Sequence, residues 1–367
     1  MRSLEHGRAA IRLFSRTRAG LAASLVWLAG LVLMSPASLR AGDEGEAPAP
    51  NSPDEAVAAG FSKAKAAAFL DAVALDWTRT RQCGTCHTNY NYLIARPALD
   101  LGDRSAHDEI RRFFEERVAG WDRGEPGDAP RWDAEVVATA SALALNDAAT
   151  GGRLHPRTRQ ALDRMWTLQR EDGAWDWLKC DWPPYEHDDY YGAVFAALGA
   201  GSAPDGYRDT DAARRGLEKL RAYLLATPPP SLHHEAMLLW ASTRLDGLMT
   251  EPAREQAVRK LLDLQRPDGG WSLPSLGDWK RRDGTPNDPD APGDGFGTGF
   301  VVYVLRQAGL PADHPSLRRG VEWLKEHQRA SGRWFTRSVS NDKAHYITHA
   351  GTGFAVMALR ACEAGGP

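Results

Sequence analysis

Three stretches of the chain repeat one grammar: an amphipathic helix that ends in Gln, a polar turn containing Gly, then Trp. They occupy residues 168–175, with Gln169 and Trp175; 264–271, with Gln265 and Trp271; and 327–334, with Gln328 and Trp334. A Gly just past a helix takes the left-handed conformation that ends it, and Asp172-Gly173 and Asp268-Gly269 supply turn geometry. The chain therefore reverses at each copy. A second helix of small and apolar residues follows each reversal, over 192–199, 299–308 and 351–361. These helices are hydrophobic nearly all round, which marks a buried inner layer. The helices before the turns carry Arg, Lys and Glu on one face and belong outside.

The same outer-then-inner alternation runs, without a clean turn signature, from 62–77 to 90–99, from 106–119 to 133–145 and from 211–225 to 233–245. Six pairs are enough to close a ring, so the expectation is an all-α fold, an α/α toroid over residues 59–367. Two outer helices open on His155-Pro156 and His314-Pro315, where Pro suits the first helical position, and both histidines read as structural. Ahead of the repeats, Arg8, Arg12, Arg16 and Arg18 precede an apolar run over 21–34 and small residues up to Ala41. Residues 1–41 read as a secretory signal peptide or, because Leu39 stands where a small residue is expected, as an uncleaved membrane anchor. Either form exports the rest to a periplasmic or extracellular location, with membrane association through the N-terminus. Residues 42–58 are acidic and Pro-rich, without periodicity, and read as a flexible tether. A net charge of −3 and the lack of a basic patch interleaved with aromatics exclude nucleic acid as a partner.

The Gln-to-Trp repeats resemble those of squalene-hopene and oxidosqualene cyclases. Gly297-Thr298-Gly299-Phe300 and Gly351-Thr352-Gly353-Phe354 resemble glycine-aromatic segments of the same superfamily, which also holds the protein prenyltransferase β subunits. The resemblance covers roughly residues 60–363 and is most specific from Arg157 onward. It implies a terpenoid-cyclase-like toroid in which Gln169, Trp175, Gln265, Trp271, Gln328 and Trp334 are clamps between adjacent helix pairs. It also implies a site. The cyclases carry an Asp-x-Asp-Asp acid, and Glu186-His187-Asp188-Asp189 stands at the comparable place. Asp188 would be the general acid for a hydrophobic, isoprenoid-like ligand, with Asp189 and His187 tuning it. Trp177, Trp182, Tyr185, Tyr190 and Tyr191 would face a carbocation, pack, or cover a porphyrin. The first Asp of the pattern is missing, and the chain has length for one toroid where the triterpene cyclases join two. The prenyltransferases place zinc on Asp-Gly-Cys and a later His; here Asp294-Gly295-Phe296 and His349 match, with Phe296 in place of the thiolate.

In such a toroid all outer-to-inner turns lie on one rim, and the inner-helix N-termini point into the funnel, so residues far apart in sequence converge there. Cys83, Cys86, His87, residues 186–189, His233, His234, Glu235, Asp288, Asp290, Asp294, His345 and His349 all fall on it. Acids that cap helices explain any one of these residues. The most specific segment is Cys83-Gly84-Thr85-Cys86-His87, two thiols followed at once by an imidazole, the attachment sequence for c-type haem. No downstream Met ligand is recognisable, so a distal ligand to the iron falls to a rim histidine, His187, His234 or His345. Zinc drawing further ligands from the rim, or a Cys83–Cys86 disulfide, are the competing readings. Cys180 and Cys362 fall on opposite sides and are unassigned. The leading expectation is an exported toroid carrying haem c, with a redox, sensory or ligand-handling role and a redox partner. A terpenoid cyclase-type enzyme using Asp188 is the alternative, and a non-catalytic scaffold or zinc-binding protein the third reading.

Overall fold

A computed structural model of the protein describes residues 47–99, 102–123 and 130–363. The signal or anchor expected over 1–41 lies outside the described residues. Within them are twelve α-helices: α1 (Lys63–Arg81), α2 (Asn89–Ala95), α3 (Ser105–Gly120), α4 (Asp133–Thr150), α5 (Pro156–Thr167), α6 (Asp189–Ser202), α7 (Asp211–Ala226), α8 (Leu232–Ser242), α9 (Glu251–Asp263), α10 (Gly295–Gln307), α11 (Pro315–Glu326) and α12 (Ile347–Ala361). Odd-numbered helices are the outer members of six pairs and even-numbered ones the inner members. Each inner helix packs on the next, and α12 returns to pack on α2, which closes the ring. The all-α toroid expected from the repeats is the fold observed.

Sequence chemistry starts and stops these helices. The side chains of Ser62, Asp188, Thr210, Ser231, Thr250 and Asp294 accept from amides in the first turn of the helix each precedes. His155 and His314 do the same through Nδ1, ahead of Pro156 and Pro315. The inner helices α6 and α12 are buried along almost their whole length, as hydrophobic all-round helices must be.

Each Gln-to-Trp turn makes the same contacts. Gln169 Nε2 donates to the carbonyls of Gly173 and Gly216, Gln265 Nε2 to those of Gly269 and Ser316, and Gln328 Nε2 to those of Gly332 and Ser62. One bond of each pair closes its own turn, and the other reaches the next outer helix or its cap. The indole N–H of Trp175, Trp271 and Trp334 donates back to the outer helix just left, at Met165, Leu261 and Leu324. The third copy joins α11 to the start of α1, from one end of the folded chain to the other. There the Ser62 amide also donates to Gln328 Oε1 at 2.7 Å. Gly332, at φ 100°, is a position where an L side chain is strained, and a Cβ would collide with the Lys65 carbonyl oxygen.

Residues 47–58 depart from the expected free tether. The Ala58 amide donates to the Gln328 carbonyl, and Ala330 donates to Ala56. Glu55 pairs with buried Arg333 and accepts from the Ser331 amide at 2.7 Å. An acidic, Pro-rich segment has no pattern of its own to fold on; here a buried arginine on the rim supplies the order. Burial raises the Glu55 pKa, but the Ser331 amide and Arg333 outweigh it and hold the carboxyl below its usual 4.5. A depressed folded pKa contributes stability that is present above the unfolded value and lost as pH falls through the folded one. Amide hydrogen exchange of residues 49–58 is therefore expected to accelerate below about pH 4.5, ahead of exchange in α6 and α12. Uniform protection down to the acid unfolding of the core would contradict this.

Candidate functional site

The Cys-His segment fills the turn between α1 and α2. Asn89 stitches it: its Oδ1 accepts from the Thr85 amide at 2.8 Å, and its Nδ2 donates to the Cys83 carbonyl at 3.0 Å. The Tyr90 ring packs on Gly84, leaving no space there for a Cβ. Cys83 and Cys86 are both free thiols, so the disulfide alternative is not realised. Burial, then the Glu186 carboxylate, pushes the Cys86 thiol well up.

His87 is buried, its ring stacked on Tyr346 (5.3 Å between centroids, 9° between planes) and edge-on to Trp77 at 5.0 Å. Its Nδ1 lies 2.9 Å from Thr88 Oγ1, which lies 2.9 Å from His349 Nδ1, and His349 Nε2 lies 3.1 Å from Asn51 Nδ2. The direction of this chain can be assigned. Arg333 donates to Asn51 Oδ1 at 2.9 Å, which turns the amide N–H toward His349. His349 Nε2 then accepts, so neutral His349 carries its proton on Nδ1 and gives it to Thr88. The hydroxyl keeps a second lone pair and its own proton, so it can serve His87 Nδ1 as acceptor or donor.

Two cavities adjoin the segment. One, of about 40 Å³, is lined by His87, Trp182, Glu186, His345 and Tyr346 among others. The other, of about 140 Å³, is lined by Cys83, Cys86, Trp132, Trp177 and Glu186 among others. Glu186 belongs to both walls, at the end of a tight turn in which Trp182 and Glu186 exchange backbone hydrogen bonds. The thiols and the imidazole thus open on adjacent spaces and not on one.

Of the three distal candidates, His345 shares the cavity of His87. Its Nδ1 accepts from the Ser338 amide at 3.1 Å, and it sits at φ 48°, a strained region for a non-glycine residue. His187 is half-exposed, 3.8 Å from Asp181, and His234 is buried in the first turn of α8; neither lines the cavity of His87. Among the described residues no group of three or more His, Cys, Asp and Glu is arranged to hold a metal ion, so the zinc reading has no ligand set.

The acidic segment differs from its expected role. Asp188 caps α6 through Oδ1, which accepts from the Tyr191 amide at 3.0 Å, and its Oδ2 lies 3.1 Å from His234 Nε2. Burial raises its pKa, but His234, the Tyr191 amide and His187 outweigh burial and hold it below the usual carboxylate value. A proton donor needs the opposite shift. Asp189 does not tune Asp188: it accepts from the Trp177 amide at 3.1 Å and pairs with Arg170 at 2.9 Å, fixing the loop. The funnel aromatics form packing. Tyr185, Tyr191, His233, Phe296, Phe300 and Phe354 make a continuous set of ring contacts at centroid distances of 4.8–6.4 Å. Asp294 is likewise structural: it caps α10 and accepts from the Leu273 amide and Thr336 Oγ1, while burial pushes its pKa up to about 6. Cys180 is exposed beside the Trp182–Glu186 turn, and Cys362 caps the far end of α12.

Asn51, Thr88 and Arg333, which organise the imidazole pair, carry no sequence motif. Thr88 directly follows His87 and was open to inference as its orienting partner.

Fold and site together define a single α/α toroid with a thiol–imidazole segment on the rim that gathers its inner-helix N-termini. No family model matches the chain, and no curated protein matches it in sequence. Among solved structures it is similar to the GH76A alpha-1,6-mannanase from Salegentibacter sp. HEL1_6, at 12% identity over 82% of this chain and 100% of that one, with a TM-score of 0.51. The type II terpene cyclase MstE from Scytonema aligns at 15% identity over 81% and 96%, with a TM-score of 0.49. The ent-copalyl diphosphate synthase from Streptomyces platensis aligns at 19% identity over 74% and 50%, with a TM-score of 0.47. At these identities the likeness concerns the fold alone, and a shared ring does not assign an activity.

Proposed function

We propose that this toroid carries one c-type haem, held by Cys83 and Cys86 with His87 as axial ligand, in an exported protein with a redox, sensory or ligand-handling role. The observation that carries the reading is the state of His87: Nδ1 is engaged by Thr88, Nε2 meets no hydrogen-bond partner among the described residues, and two free thiols precede it. A ligating histidine is normally oriented by a hydrogen bond from its other ring N–H, and Thr88 Oγ1 is placed to accept one. Tyr346 fixes the ring plane and His345 shares the cavity of His87; the spaces beside the thiols and the imidazole, about 140 and 40 Å³, are each smaller than a porphyrin and meet at Glu186, so the reading requires the Trp182–Glu186 turn to move aside when the group is attached. When bound, haem iron supplies one-electron transfer or coordination of a small ligand. The arginine-led, apolar N-terminus supports the reading, since such haems are attached outside the cytoplasm. Acid-initiated cyclisation fits less well, because Asp188 is held ionised and ring contacts fill the funnel.

The test is an absorption spectrum of the protein produced together with a cytochrome maturation system. The expected result is a haem band that survives acid-acetone extraction, at one haem per chain. A colourless product with both thiols titratable overturns the proposal.

A further inference from the structure

A second constellation on the rim is independent of the haem reading. Ser231 Oγ lies 2.7 Å from His234 Nδ1, and His234 Nε2 lies 3.1 Å from Asp188 Oδ2. Both atoms are buried, and neither makes a hydrogen bond of good geometry to the other or to any described residue, so Asp188 acts on the ring as a charge at close range. An ionised carboxylate is acceptor-only, so it draws the imidazole proton to Nε2 and leaves the Nδ1 lone pair facing the Ser231 hydroxyl. That is the tautomer in which a histidine takes a proton from serine. The His234 side chain is 1% exposed, and Ser231 Oγ is the group that meets its Nδ1.

Ser231 itself is half-buried and opens on a groove of about 640 Å³, with apolar walls from Pro229, Leu232 and Leu264 and the Lys260–Glu235 ion pair beside them. It also precedes α8, whose first-turn amides at Leu232 and His233 have no acceptor within the helix. Such amides are donors for a developing oxyanion. The capping role of Ser231, whose Oγ accepts from the His234 amide at 3.4 Å, is compatible with this: one lone pair receives the amide while the hydroxyl proton faces Nδ1.

We propose that Ser231, His234 and Asp188 act as nucleophile, base and positioning carboxylate in the hydrolysis of small, uncharged carboxylic esters bound in this groove. Ser231 Oγ bonds to the ester carbonyl carbon as its proton passes to His234 Nδ1. The imidazolium returns that proton to the departing alkoxide, releasing an alcohol and leaving an acyl-serine. Water, deprotonated by His234, then attacks the acyl carbon, and the proton returns to Ser231 as the acid leaves. The sum is ester plus water to acid plus alcohol, with no redox change. Pro229, Leu232 and Leu264 favour a short aliphatic acyl group.

The test uses the full chain and a fluorophosphonate probe, with the adduct located by peptide mass spectrometry. A single adduct at Ser231 is expected. Ser231→Gly, in which glycine caps the helix nearly as well as serine, removes both the adduct and hydrolysis of p-nitrophenyl butyrate. His234→Gln lowers both by about 100-fold or more. Asp188→Asn lowers the rate and displaces its pH profile, which loss of a helix cap alone does not do. No adduct at Ser231, or labelling and hydrolysis indifferent to His234→Gln in a variant of unchanged helical content, overturns the proposal. Haem content plays no part in either readout, so this proposal and the haem reading fail separately.

Discussion

A chain in which Cys83 and Cys86 are both replaced by serine is expected to lose all acid-stable haem colour, while its helical content and unfolding midpoint change little. Both thiols lie in the turn between α1 and α2; Cys86 is buried at the edge of the core, and serine fills nearly the same volume. Asn89 holds the turn through backbone atoms of Cys83 and Thr85, which the substitutions leave in place. Cys83→Ser or Cys86→Ser alone is expected to retain colour through the remaining thiol, in a product that matures less completely. His87→Ala behaves differently: both thiols remain to hold the group, but the band shifts because an axial ligand is gone. Thr88→Val lies between these, because it removes only the hydroxyl next to His87 Nδ1. Colour that survives extraction in the double serine variant shows that the thiols are not the attachment point.

The second large effect falls on ring closure. Trp334 is fully buried, meets Phe61 at 6.1 Å, donates its amide N–H to Thr352 Oγ1, and donates its indole N–H to the Leu324 carbonyl. Trp334→Ala deletes that ring from a packed site and leaves the Leu324 carbonyl without its donor. Truncating a buried tryptophan costs about 3–5 kcal/mol, against a total of about 5–15 kcal/mol for a typical domain. The unfolding midpoint in urea, followed by far-ultraviolet circular dichroism, is expected to drop accordingly. Trp175→Ala and Trp271→Ala remove equivalent contacts, but at seams between helix pairs that follow each other in the chain. Trp334 lies at the seam joining α11 to α1, whose partners are held together only by the fold, so its loss is expected to loosen residues 47–62 as well. Protection of those residues left unchanged in hydrogen exchange sinks this account of closure.

Much of the architecture was legible in sequence, because each helix pair is a local event. A Gln, a glycine in the left-handed region and a Trp lie within eight residues, and the indole reaches the carbonyl ten residues back. The Cys-His segment was legible for the same reason. The contacts of residues 47–58 were not legible, because the segment has no periodicity and its partners, Arg333 and Arg329, lie far along the chain. Asp188 shows the same limit: the residue type permits an acid, but His234 and the α6 amide decide its charge.

Local pattern therefore decided which helices form, which face each one buries and where the chain turns, since these depend on neighbours within a few turns of helix. Closure of the ring decided the rest. It brought His345 and not His187 or His234 to the cavity of His87, placed Asn51 against His349, and packed the funnel aromatics against one another. Those outcomes depend on the angular position of each pair around the ring, and contacts between α12 and α2 and between Gln328 and Ser62 set it.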